Sequence, residues 1–224
     1  MGNRENIRQL TFGVSFNHMF RLLDTWGEIA DDILYRSKYF STEYFTNISQ
    51  QYTTERRLSN QQTGNQLIIT ANNLVYTHNI KGDYSNEYNE FKQRIENYLV
   101  PQILSAYGLI VRRLGLVYVS ELSNEAIKRF ASIYFNPSVR GITDFRFSKK
   151  ESTLEGLIFS SNQDFINKIF SVGSFGEKKQ GISYDFQLHF NPIRQDVRDI
   201  ISVFMTKADA EHSKDVLCQL EGEK

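Results

Sequence analysis

Residues 109–122 read LIVRRLGLVYVSEL, from Leu109 to Leu122, and this stretch decides the fold. It is the longest run rich in β-branched residues, and it is apolar on both alternating faces. Ile110, Leu114, Leu116 and Tyr118 fall on one side; Leu109, Val111, Val117 and Val119 fall on the other. A strand buried on both faces reads as a near-continuous apolar run, whereas a half-solvated strand alternates. The stretch therefore predicts the central strand of a sheet covered on both sides. Arg112 and Arg113 enter it, one on each face.

Working outward toward the N-terminus, residues 7–16 alternate as a strand, with Leu10, Phe12, Val14 and Phe16 on one face. Leu22, Trp26, Ile29, Ala30 and Ile33 fall at helical spacing and predict a helix over residues 20–38. Residues 53–58 and 66–77 read as a hairpin around Asn60 and Gly64. Ser85 is the expected cap of a long helix carrying Tyr88, Phe91, Ile95, Leu99 and Ile103, with a kink expected at Pro101. The order strand, helix, strand, strand, helix, strand is the ferredoxin-like split βαβ arrangement, which lays both helices on one face of an antiparallel sheet.

Beyond the central run, Ser123 caps a short helix holding Ile127, Phe130, Ile133 and Tyr134. Strands are expected over residues 144–148, 154–161, 165–172 and 182–191, followed by helix over residues 196–220. The strand at 182–191 alternates most cleanly: Tyr184, Phe186, Leu188 and Phe190 face the core, with Asp185, Gln187, His189 and Asn191 turned away. The expected fold is α+β and two-lobed, with a mainly antiparallel sheet. Residues 1–122 form the split βαβ half, and residues 123–224 form a β-meander half with a C-terminal helix. No Pro- or Ser-rich linker separates the halves, so a single domain is expected over 1–224.

Composition narrows the function classes. Lys+Arg and Asp+Glu are both 26, and this neutral balance disfavours a protein that coats nucleic acid by bulk charge. A lone cysteine, Cys218, excludes an intramolecular disulfide and is expected to pack rather than react. No apolar run reaches the roughly 18 residues that a membrane span needs, so a soluble cytoplasmic protein without membrane contact is expected.

At the central strand, Arg113, Gly115, Leu116 and Tyr118 resemble the signature of a sporadically distributed family of uncharacterised bacterial and archaeal proteins. The family motif there reads approximately R-x-G-L-x-Y, in chains of about this length. Val117 and Ser120 depart from its pattern, where the family tends to carry Arg and Asn. His212 is similar to a histidine of the family's C-terminal helix. The resemblance implies the fold order and brings Tyr118 and His212 forward as binding candidates. It implies no activity. Its sporadic distribution implies, by association, an accessory role in defence or in a toxin–antitoxin-like system.

The remaining candidates follow from residue chemistry. Arg112 and Arg113 are expensive on a buried strand unless paired. They either grip an anion with their planar forks or form structural bridges to Glu96, Glu121 or Asp144. Gln187, His189 and Asn191 share a polar strand face that either lines a wet cleft or is simply solvated. His18, His78, His189 and His212 have no metal-ligand spacing, so no metal is expected. Nucleophile elbows, phosphate loops and dinucleotide fingerprints are absent, and no cofactor or catalytic residue is expected. Basic doublets at Arg56-Arg57, Lys149-Lys150 and Lys178-Lys179, with Phe145, Phe147 and Phe159, suggest a second reading as a single-strand nucleic-acid platform. The first reading is a non-enzymatic interaction or regulatory protein, binding a protein partner or itself through a groove or sheet edge; an enzyme with an unrecognised site stands as an alternative beside the nucleic-acid reading.

Overall fold

A computed structural model describes residues 4–48, 54–134, 145–152, 163–174, 180–194 and 196–218. Its centre is a single antiparallel sheet, with nine strands among the described residues. They are β1 (Ile7–Phe16), β2 (Thr46–Asn47), β3 (Glu55–Ser59), β4 (Gln66–Thr70), β5 (Asn73–Asn79), β6 (Val111–Glu121), β7 (Phe145–Glu151), β8 (Phe165–Ser174) and β9 (Gln180–Arg194). The spatial order is β2-β3-β4-β5-β1-β6-β9-β8-β7, which places β6 in the interior between β1 and β9. The expected strand at residues 154–161 lies outside the described residues.

The apolar side chains of one face feed a single core. Phe12 sits between Tyr76 and Leu116 across three strands, and Leu116 faces Phe186 on β9. Helix α3 (Tyr84–Arg94) stacks Phe91 on Tyr76 at 5.5 Å. Helix α4 (Asn124–Tyr134) sets Phe130 against Phe170 at 6.1 Å, and α5 (Ile201–His212) sets Phe204 against Phe186 at 5.6 Å. Leu22, Trp26, Ile29 and Ile33 of the first helical region complete the same core. The described helices thus cover one face, and the fold is α+β.

Four expectations need correction. The described residues do not cover the sheet on both sides: Val117 and Val119 are only partly buried, because their neighbours on that face are the small or polar Thr11, Gly13, Ser183 and Asp185. The apolar run looked two-sided because those valines alternate with true core residues. Second, Arg112 and Arg113 do not divide between the faces. A register shift at Arg112 makes it an exposed bulge residue, and the bulge returns Val111 to the covered face beside Leu114. Third, residues 66–77 are two strands. Thr70 Oγ1 accepts from the backbone N–H of Asn73 at 3.0 Å, and the chain turns at Ala71-Asn72. Fourth, the helix over residues 20–38 breaks into α1 (Arg21–Asp24), α2 (Trp26–Asp31) and a wider π-helical segment, Asp32–Arg36. Thr25 Oγ1 bonds back to the Arg21 carbonyl at 2.8 Å and also meets Tyr107 Oη, which fixes the break.

Smaller adjustments follow the same logic. Asp83, not Ser85, caps α3, accepting from the Asn86 N–H at 3.0 Å. Around Pro101 the helix is wound with wider, π-type turns over Ile95–Ser105. Ser123 Oγ does accept from the Ala126 N–H at 3.2 Å, as its position predicts. Cys218 is exposed rather than packed. No described helix is long and apolar enough to cross a membrane.

Candidate functional site

The open face of the sheet is where chemistry collects. Alternation along β9 turns Asp185, Gln187 and His189 onto it, while Tyr184, Phe186 and Leu188 are buried beneath. Gln187 Nε2 donates to Asp185 Oδ2 at 2.5 Å. The Gln187 oxygen can only accept, so His189 Nε2, 2.9 Å from it, carries the proton. Asn167 Nδ2 adds a long bond to the same oxygen at 3.5 Å. This chain fixes the tautomer of His189 and leaves Nδ1 as an acceptor. Burial, then the charges of Arg113 and Lys150, hold His189 down to about 4, so its ring is neutral at pH 7. Burial pushes Asp185 above the usual carboxylate value, against the opposing pull of Gln187, Arg113 and Arg146.

Arg113 stands directly between Ser15 and His189 in the sheet register. Neither expected acid reaches it: Glu121 pairs with Arg8 at 3.0 Å and Glu96 lies 3.6 Å from Lys92, while Asp144 falls outside the described residues. Arg112, on the bulge, donates to Asn17 Oδ1 at 2.6 Å. Phe165 stacks on His189 at 4.5 Å, with ring planes 7° apart, and Lys150 Nζ sits 3.8 Å from the centre of the Phe165 ring.

Beside this cluster the sheet has a bare floor. Gly13 and Gly115 are direct partners in the register, and Gly115 also faces Gln187. Nothing lies within 4 Å of where a Cβ on Gly13 would be; one on Gly115 would meet Asp185 Oδ1 at 3.6 Å, an ordinary contact. Neither position is a bulge, and neither has a positive φ. Four residues further along the strands, about 13 Å at the usual rise, a cleft of about 320 Å³ continues the face. Arg8, Gln9, Asn79, Val119 and Glu121 line it.

The candidates divide between the faces. Arg113, Gln187 and His189 come together on the open one. Asn191 is exposed near the end of β9, its backbone N–H bonded to Asp164 Oδ1 at 2.8 Å. Tyr118 and His212 meet on the covered face instead, stacked at 4.2 Å with planes 7° apart. His212 is 1% exposed, and neither ring nitrogen has a hydrogen-bond partner. Burial first, then the charge of Arg4, holds it down to about 3. This pair is part of the core.

Phe145 and Phe147 also turn inward, onto Phe130 and Phe170, so they form no platform for bases. Phe159, Lys178 and Lys179 lie outside the described residues. Among the described residues no group of three or more His, Cys, Asp or Glu side chains could hold a metal ion.

Sequence reasoning missed Gly13, Phe165 and Asn167, and it raised Lys150 only as part of a basic doublet for nucleic acid. Strand alternation alone carried Asp185 to the right face, but the pairing of Gly13 with Gly115 needs a register between strands a hundred residues apart. No protein-family model matches the chain, and no curated protein matches it.

Proposed function

We propose that the chain is a binding protein that receives a protein partner on the open sheet face, over the Gly13–Gly115 floor. The glycine pair carries this reading. Glycine inside a strand costs roughly 0.5–1 kcal/mol relative to alanine and usually marks a bulge or a close approach. With no bulge, no positive φ and no crowding neighbour among the described residues, the close approach is left, and we read it as one made by a partner. Binding is favoured over catalysis because a histidine held near 4 is a poor general base at neutral pH.

The strand order β4-β5-β1-β6, with helices after β1 and after β5, supports residues 1–122 as a ferredoxin-like split βαβ half. Residues 123–224 make the meander half of the same two-lobed domain. A cytoplasmic location and membership of the sporadic family named by the R-x-G-L-x-Y motif belong to this proposal.

A displayed random-peptide library, selected in parallel on wild type and on Gly13→Leu, tests the reading. A Cβ at Gly13 meets nothing within 4 Å, so leucine is expected to leave the fold standing while it fills the floor, which an unfolding curve of the variant checks. Peptides enriched on wild type and lost on Gly13→Leu are expected; identical selections on the two proteins would overturn the reading.

A further inference from the structure

We infer that the occupant of this face is an extended acidic segment of the partner, with carboxylates on Arg113 and Lys150 and its backbone running on past Arg113 over the glycine floor toward β1. The inference rests on the binding-face reading above and names its chemistry.

The charge on the face is one-sided. On β6, β9, β8 and β7 the open side of the described residues presents Arg113, Arg146 and Lys150 against two carboxylates, Asp185 and, at the far end of β6, Glu121, which is paired with Arg8. Asp185 is already engaged by Gln187. None of the three cations has a carboxylate within ion-pair distance among the described residues, whereas Arg8, Arg57, Arg94, Arg194 and Arg198 all do. A cation left unpaired beside half-buried polar groups gains most from an anion that arrives with its own desolvated surface.

Spacing selects a segment over a lone anion. From β6 across β9 and β8 to β7 is three strand spacings, about 14 Å; the register sets Lys150 two residues along from Arg113, so the two positions are about 16 Å apart and their long side chains close the last ~2 Å. An extended chain covers about 14 Å in roughly four residues, and an even separation keeps both side chains on the face toward the sheet. Carboxylates at i and i+4 therefore reach Arg113 and Lys150 together. The Nδ1 of His189 supplies an acceptor for a backbone N–H between them, since its Nε2 proton is committed to Gln187.

The rings argue against nucleic acid. A base binds by stacking on an open aromatic face. Phe165 is the aromatic side chain of the described open face besides His189, and it lies between His189 on β9 and Lys150 on β7.

Fluorescence anisotropy with short labelled peptides tests the inference. One peptide carries Glu at its third and seventh positions among Thr and Val, a second carries adjacent Glu residues, and a third carries Gln at both sites. The spaced-Glu peptide should bind at least tenfold more tightly than the other two. Arg113→Met and Lys150→Met should each weaken it about tenfold, with unfolding curves close to wild type because neither cation holds a carboxylate among the described residues and the Lys150–Phe165 contact lies at a solvated face. Equal affinity for the Gln peptide, or indifference to both variants, would overturn the acidic-segment inference. So would tighter binding of oligo-dT at about 150 mM salt, which assigns the face to nucleic acid. Groove-dependent library peptides that lack acidic residues would defeat this inference and leave the binding face standing. Binding of every peptide undiminished in Gly13→Leu would defeat the binding face itself.

Discussion

Arg94 and Arg113 serve the two sides of one sheet and meet opposite fates. Arg94, on α3, is 1% exposed and every arm of its guanidinium is used. Nε donates to the Tyr39 carbonyl at 2.9 Å; Nη1 reaches Glu43 at 2.5 Å and Tyr76 Oη at 2.6 Å; Nη2 reaches Thr42 at 3.2 Å and also pairs with Glu90. Arg113 is only partly buried and pairs with no carboxylate among the described residues. A charge taken out of water must be saturated by the fold. A charge at a solvated face need not be, and what the fold leaves unused is available to a ligand.

The comparison breaks first on stability. Arg94→Met strands Glu43, 4% exposed on its side chain, without its counter-charge, and should cost about 3–5 kcal/mol in urea unfolding. Arg113→Met should change stability by no more than about 0.5 kcal/mol. Similar losses at the two sites would mean that Arg113 is structural after all.

The two histidines sharpen the same contrast. Both are neutral at pH 7, yet His189 has a bonded Nε2 on the open face, while His212 is sealed in the core with neither nitrogen bonded. Its folded value near 3 lies below the roughly 6.5 of an unfolded histidine. The unfolded chain therefore takes up the proton first, so stability is full above about pH 6.5 and declines as pH falls toward 3. Between pH 7 and 5 the loss from His212 should be about 2 kcal/mol, and His212→Leu should remove that part of the slope. An unchanged slope in the variant would place the titration elsewhere.

What the sequence made legible follows the range of the forces involved. Periodicity is local, so β1, the inward faces of β9 and the Ser123 cap could be read from the residues alone. Three features could not, because each depends on a partner distant in the chain. The exposure of Val117 and Val119 depends on Thr11 and Asp185 alongside them. The bulge at Arg112 is set by pairing with both β1 and β9. The meeting of Tyr118 with His212 requires α5 to dock on β6, although both residues stood out through the family resemblance. At the site, Gln187 and His189 were visible as a polar strand face. The floor beside them was not, since a glycine acquires meaning only when its cross-strand neighbour is known.

The glycine pair separates a face shaped for a ligand from a face shaped by folding. The most direct measurement is the unfolding free energy of Gly13→Ala combined with Gly115→Ala, which requires no knowledge of the ligand. Added methyl groups meet open space at Gly13 and an ordinary 3.6 Å contact with Asp185 at Gly115. The double variant should therefore unfold at least as reluctantly as wild type, with a gain of about 1 kcal/mol from the restricted unfolded chain. A loss of more than about 1 kcal/mol would show that the fold itself requires these glycines, and the groove would lose its claim to be a binding site.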